Sequence, residues 1–252
     1  VLRLLNERAG HARAIGELKG TGVVYRPERE AEVLRRIQSL NTGPLPGEAV
    51  ARLFREIMSE CLAVERPLTI AYLGPAGTFT QQAAVKHFGH AAHTQACTTI
   101  DECFRMVEAR RADYVVAPVE NSTEGSVGRT LDLLSVSPLQ ACGEVVLRIH
   151  HHLLRKDHAQ MAGISKVYAH AQALAQCHDW LSRHLPDAVC ISVSSNAEAA
   201  KRVKGEWNSA AIAGDMAAGL YGLTRLAEKI EDRPDNSTRF LMIGSQEVPP
   251  TG

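Results

Sequence analysis

The sequence predicts an all-α segment of three helices followed by an α/β domain. Three observations carry this prediction: apolar spacings of three and four before Pro67, short β-rich runs alternating with helical stretches after it, and a change of charge pattern at the same place. The 252 residues hold 28 Lys or Arg and 28 Asp or Glu, a formal net charge of zero. Residues 1–67 carry 11 of the bases, ten of them Arg, against 9 acids; residues 68–252 carry 17 against 19.

In the first segment Leu2, Leu5, Ala9, Ala12 and Ile15 form one helical stripe, which Gly20 and Gly22 stop. Pro27 suits the first turn of a second helix, with Glu28, Glu30 and Glu32 near its positive end. That helix runs to about Leu40 and is followed by a Gly- and Pro-rich loop over 41–47. A third helix puts Val50, Leu53, Phe54, Ile57, Cys61 and Val64 on one face. Three such helices close only a small core, so a partner surface is expected.

After Pro67, strands are expected at 69–73, 114–119, 143–154, 166–168, 188–193, 210–213 and 238–243. Helices are expected between them at 81–88, 100–109, 127–134, 172–185, 196–203 and 215–221. Such alternation argues for mostly parallel sheets.

Composition excludes several classes. A pI near 7.3 without blocks of like charge leaves no footprint for a nucleic-acid partner. No apolar run reaches the roughly eighteen residues that a membrane span needs, and no secretory signal is visible. Cys61, Cys97, Cys103, Cys142, Cys177 and Cys190 lack CxxC spacing and read as reduced, mostly buried thiols of a cytoplasmic protein. The run His150-His151-His152 is not expected to bind metal, because consecutive strand residues face opposite ways.

Several clusters could carry chemistry. Arg8 and Lys19, three helical turns apart, project within roughly 20° of each other and about 16 Å apart along the axis. With Arg29 and Glu30 they could grip a small dianion; they could equally be the solvated faces of amphipathic helices. The turn after the first strand, Gly74 to Thr78, could present helix-start amides to an anion. Glu120, Asn121, Ser122, Thr123, Glu124 and Ser126 crowd the end of an apolar strand, where ligand clefts form. Asn236, Thr238 and Arg239 precede the last apolar strand.

The runs LLNERAGHARAIGELK, VYRPEREAEVLRRI and VARLFREIMSECLAVE resemble the all-helical chorismate mutase domain. That resemblance implies that Arg8 and Arg29 bind substrate carboxylates, Lys19 donates to the ether oxygen and Glu30 holds the ring hydroxyl. Glu65 would face the same ether oxygen in protonated form, which implies mutase activity favoured by acid. Members of the family extend the first helix upstream of Val1 and supply a further arginine to the partner subunit. Weak or absent mutase activity is therefore expected of the chain as given.

TIAYLGPAGTFTQQAA (69–84), APVENSTEGSVGRTLDLL (117–134), YGLTRLAEKIED (221–232) and IEDRPDNSTRFLMIG (230–244) together resemble prephenate dehydratase. A mutase domain ahead of it is the arrangement of the bifunctional bacterial family. The resemblance implies a two-lobed dehydratase domain like type II periplasmic binding proteins, with the site in the cleft. It divides the chain into a helical domain over 1–66, N-terminally incomplete, a dehydratase over 67–246 and a linker beginning at 247–252. Lobe 1 would span about 68–148 plus 238–245, and lobe 2 about 149–237. Thr238 would be the essential hydroxyl, with Thr78, Asn121, Ser122, Gln176 and Arg239 binding substrate. Ala169 departs from the Ser-His-Pro-Gln that many members have at 169–172, which puts a contact there in doubt. Prephenate and chorismate would be the substrates, with no metal or organic cofactor, in a homodimer. The alternatives are a dehydratase whose helical segment serves dimerisation, and a bilobed module that binds a small carboxylate without turnover.

Overall fold

Apolar stripes set the first segment. The computed structural model describes residues 1–19, 25–156 and 160–248. Helices α1 (Leu2–Lys19), α2 (Pro27–Leu40) and α3 (Gly47–Glu65) are the three expected. The Gly20–Gly22 stop, the Lys19 side chain and residues 249–252 of the expected linker lie outside the described residues. Pro27 opens α2, with Glu28 and Glu30 in its first turn. Gly16 lets α1 lie against α3: a Cβ there would come within 2.6 Å of Glu65 Cγ.

The α/β domain begins with β1 (Thr69–Leu73), α4 (Phe79–Phe88), β2 (His93–Cys97), α5 (Ile100–Glu108) and β3 (Tyr114–Asn121). It continues through β4 (Gly125–Ser126), α6 (Gly128–Val136), β5 (Gln140–Arg148), β6 (His152–Lys156) and β7 (Lys166–Ala169). Then follow α7 (Ala171–Gln176), α8 (His178–His184), β8 (Val189–Ser192), α9 (Asn196–Val203) and β9 (Ser209–Ala213). The last elements are α10 (Asp215–Tyr221), β10 (Leu223–Ala227) and β11 (Ser237–Gly244). One sheet has the order β2-β1-β3-β11-β5 with β4 added to β3; the other has the order β10-β6-β9-β7-β8. The domain is thus two-lobed, and the chain passes between sheets from Arg148 to His152 and back from Ala227 to Ser237.

Three expectations need correction. The sheets are mixed: β1 is parallel to β2 and β3, and β7 to β8 and β9, but β11 runs antiparallel to β3 and β5, and β6 to β9 and β10. A strand that returns from the other lobe, as β11 does, enters against the direction of its neighbours. The single strand expected over 143–154 is two, β5 and β6, one in each sheet: Ile149 N makes the last rung to β11 at Asn236 O (2.9 Å), and His151 N then turns to the Glu231 carboxylate at 2.9 Å instead of to a strand. The helix expected over 172–185 is broken at Cys177, where the Asp232 carboxylate accepts from the amides of Asp179 (3.0 Å) and Trp180 (3.1 Å) and so starts α8 afresh.

Part of the expected partner surface is this domain itself. Tyr25 joins the core that contains Phe88, Tyr114 and Phe240, and Ser59 Oγ on α3 donates to Phe88 O at 2.7 Å. His87, on α4, lies 3.2 Å from the Tyr25 hydroxyl through Nε2. Burial, with the Arg55 cation nearby, pushes its imidazole down to about 4. The unfolded chain therefore takes up a proton that the folded chain refuses. This contribution to stability is complete above about pH 6.5 and is lost as pH falls toward 4, amounting to about 3 kcal/mol. Between pH 7 and 4.5 the urea midpoint of the wild type is expected to fall further than that of His87→Gln; equal falls would refute this.

Candidate active site

The carboxyl ends of the strands and the starts of the following helices face one another across the gap between lobes. There they line an open cleft of about 200 Å³. Lobe 1 contributes Gly77 to Thr80 and Asn121; lobe 2 contributes the starts of α7 and α9, Gln176 and Gly214. The crossing segments add His151 and Asn236, and the start of β11 adds Thr238. Among the described residues that line it, none is Lys, Arg, Asp or Glu. Thr78 caps α4, its hydroxyl accepting from Gln81 N and donating to Leu73 O, and Ser195 caps α9 by accepting from Glu198 N. The positive ends of these two helices thus meet a cleft without a cationic side chain.

The lobes touch at one end of this cleft. Gly77 has φ +90° and packs against α10, where a Cβ would meet Ala217 Cα at 3.3 Å. Opposite, a Cβ on Gly214 would fall 2.6 Å from the Phe79 ring. Tyr221 also reaches over from lobe 2 to donate to Ala76 O at 3.1 Å.

At the centre is Thr238, 9% exposed. Its partner is Asn121, whose amide orientation is set by the backbone: Asn121 Oδ1 accepts from Thr123 N at 3.0 Å and Glu124 N at 3.2 Å. Asn121 Nδ2 therefore donates, to Thr238 Oγ1 at 2.7 Å and to Asn236 Oδ1 at 3.2 Å. The Thr238 oxygen is used as an acceptor, so its own proton is available to a ligand. Gln176 joins from lobe 2: its Oε1 accepts from Asn236 Nδ2 at 3.1 Å, and its Nε2 donates to Thr123 Oγ1 at 3.0 Å.

The structure thus brings Thr238, Asn121, Gln176 and Thr78 to one cleft. Ser122 stands behind it, its hydroxyl accepting from Ser237 N at 2.9 Å. Arg239 is not brought there. Alternation along β11 turns it to the opposite face, where it pairs with Glu120 at 3.3 Å and Glu144 at 3.9 Å. In the helical segment Arg8 is exposed, and Arg29 is exposed and paired with Glu32. Glu30 is turned inward to Arg55 (3.4 Å) and Tyr25, and burial raises its carboxyl above the usual range. Glu65 lies against Gly16.

Not expected from the sequence as cleft residues are His151, His170 and Ser195. For Ser195 a signal existed: Ser195 followed by Glu198 has the spacing of a helix start. The three consecutive histidines go separate ways, His150 to Glu231 at 2.7 Å, His151 to Gln176 at 2.8 Å and His152 to the amide of Lys229 at 3.2 Å.

Comparison with known proteins matches both segments of the chain. Residues 70–248 match the family described as prephenate dehydratase, and residues 1–66 match chorismate mutase type II. The bifunctional chorismate mutase/prephenate dehydratase of Neisseria gonorrhoeae is 72% identical over 100% of this chain and 70% of its own length. The protein of the same description from Pseudomonas aeruginosa is 60% identical, over 100% and 71%. A solved prephenate dehydratase from Arthrobacter aurescens, in complex with L-Phe, superposes with a TM-score of 0.67 at 34% identity. It covers 73% of this chain, which spans 62% of that one. With a helical segment and a two-lobed domain each matched in this order, the chain belongs to the bifunctional chorismate mutase/prephenate dehydratase family.

Proposed function

We propose that the cleft converts prephenate to phenylpyruvate, with Thr238 as the catalytic hydroxyl. The observation that carries this is the orientation of Thr238: Asn121 occupies its oxygen, and its proton is left to donate in a cleft with no Lys, Arg, Asp or Glu among its described lining residues. In the reaction the ring carboxylate leaves as CO₂. The electrons of the breaking carbon–carbon bond pass through the ring and expel the C4 hydroxyl, which becomes water on gaining a proton. Aromatisation drives the change, so orientation and help to the departing oxygen are what the protein must supply. Thr238 donates to that oxygen as negative charge grows on it. A cation on the departing carboxylate would stabilise the ground state, where the charge is greatest, more than the transition state. Helix-start amides at Thr78 and Ser195 offer a milder grip. Formation of phenylpyruvate from prephenate by the purified chain tests the reading. Binding without turnover would replace it with a carboxylate-binding module.

Arg239 binds no substrate in this reading. Its exposed pairs are worth at most about 1 kcal/mol, so Arg239→Gln is expected to leave the KM for prephenate within about threefold. A tenfold rise would return Arg239 to the binding site.

We assign residues 1–66 to a chorismate mutase domain and 67–246 to the dehydratase, so that one chain forms prephenate and consumes it. A homodimer is supported by exposed apolar side chains on the helical segment, including Leu2, Leu18, Leu53 and Val64. A cytoplasmic setting is supported by six free cysteines, five of them buried.

A further inference from the structure

Beyond Thr238, its partner Asn121 and Gln176, one group in the cleft has a fixed role in none of the steps above. His151 is 2% exposed and lies in the segment between β5 and β6. Its ring meets Phe79 edge-on, with centroids 5.7 Å apart. Its backbone is held by the Glu231 carboxylate, which accepts from His151 N at 2.9 Å while also pairing with His150 Nδ1 at 2.7 Å. Ile230 N in turn donates to His151 O at 2.9 Å. The two crossing segments are therefore tied to each other at His151.

The protonation of the ring follows from the hydrogen bonds around it. Backbone amides at Thr123 and Glu124 orient Asn121; Asn121 Nδ2 makes Asn236 Oδ1 an acceptor; Asn236 Nδ2 then makes Gln176 Oε1 an acceptor. At 2.8 Å from Gln176 Oε1, His151 Nε2 must carry the proton. Among the described residues Nδ1 is buried without a hydrogen-bond partner, which suits a neutral ring and disfavours a second N–H. Burial accordingly keeps the imidazole below its ordinary value, outweighing the nearby Glu231 carboxylate.

We propose that His151 is a positioning residue of the dehydratase: its Nε2–H sets the side-chain amide of Gln176, which bonds across the cleft to Thr123 and Asn236 and so holds the Asn121–Thr238 pair in register. Gln176 comes from lobe 2, and Thr123 from lobe 1. Without the His151 donor, Gln176 Oε1 keeps one of its two anchors, Asn236 Nδ2, and the amide can shift from its place between Thr123 Oγ1 and Asn236. The displacement would pass through Asn236 to the spacing of the Asn121–Thr238 pair. This inference rests on the dehydratase reading, and activity of the wild-type chain on prephenate separates the two: if the wild type is inactive, the reading fails; if only the variants below disagree, the inference fails.

Two replacements distinguish the donor from the packing. His151→Phe keeps the ring against Phe79 but cannot donate; His151→Gln carries an amide N–H that reaches where Nε2 stood. On prephenate, kcat is expected to fall about 10²-fold in His151→Phe, with a smaller change in KM and little change in melting temperature. His151→Gln is expected to restore kcat to within about fivefold of wild type, since the donor to Gln176 returns. A near-normal kcat in the Phe variant, or a Gln variant as slow as the Phe variant, would overturn the role. A measurement on the unaltered protein stands apart from whether either variant folds. Imidazole ¹⁵N shifts are expected to show His151 as the neutral Nε2–H tautomer at pH 7, and an Nδ1–H tautomer would overturn the proposal.

Discussion

Thr238→Ala is expected to lower kcat on prephenate by about 10²- to 10⁴-fold, the range lost with a positioned proton donor. Thr238 combines an occupied oxygen with an available proton at the centre of the cleft, so its loss deprives the departing hydroxide of that donor. The fold has little at stake. Thr238 pairs in β11 with Asn121 on one side and Leu147 on the other through the backbone, which Ala preserves. The change removes one methyl and one hydroxyl from a side chain at the cleft wall, and the Asn121 donor loses one of its two acceptors. Thr238→Ser keeps the hydroxyl and should retain most activity, whereas Thr238→Val keeps the shape and should be as poor as Ala. Phenylpyruvate formation under saturating prephenate, with circular dichroism as the check on folding, decides among them. A Val variant of near-normal rate would remove Thr238 from the reaction.

What the sequence made legible was local. The apolar run Thr69–Leu73 reads as a buried strand and is one, and the α3 stripe through Val50 and Cys61 reads as a helix and is one, although Leu53, Phe54 and Val64 of that stripe are exposed. His93–Cys97 has no apolar alternation because it is an edge strand, exposed over most of its length, so β2 gave no periodic signal. The breaks were illegible for a different reason. Nothing in the residues around Ile149 interrupts a strand, and nothing around Cys177 stops a helix. The carboxylates of Glu231 and Asp232 impose these breaks from the segment that recrosses between lobes. That segment also builds the site, since Asn236 and Thr238 face Asn121 only after the sheets have formed. The motif around Thr238 could therefore be read as important, but not which neighbours share its side of β11. Arg239, adjacent in sequence, ends on the other face beside Glu120 and Glu144. His151 was hidden for a similar reason: three adjacent imidazoles look alike until each meets its own partner.

Asn121→Asp tests the electrostatics of the same pair with almost no change of shape. One carboxylate oxygen would go on accepting from the amides of Thr123 and Glu124, so the loop after β3 keeps its anchor. The other oxygen would replace Nδ2, 2.7 Å from Thr238 Oγ1 and 3.2 Å from Asn236 Oδ1. Two consequences follow. Thr238 would turn its proton onto the new carboxylate, a charge-assisted hydrogen bond about twice as strong as a neutral one. The proton needed by the leaving oxygen is then engaged elsewhere. The carboxylate would also bring a negative charge into a cleft that must accept a dianion and has no cationic side chain among its described lining residues. Both effects act in the same direction, and kcat/KM is expected to fall by about 10³-fold, more than loss of a single hydrogen-bond donor gives. The loss should shrink on acidification, because protonating the introduced carboxylate removes the charge and supplies an O–H that can donate to Thr238 as Nδ2 did. A pH profile of kcat/KM for Asn121→Asp, normalised to the wild type, is therefore expected to rise toward acid. A flat ratio, or a variant with near-normal activity at pH 7, would show that Asn121 does not set the direction of the Thr238 proton.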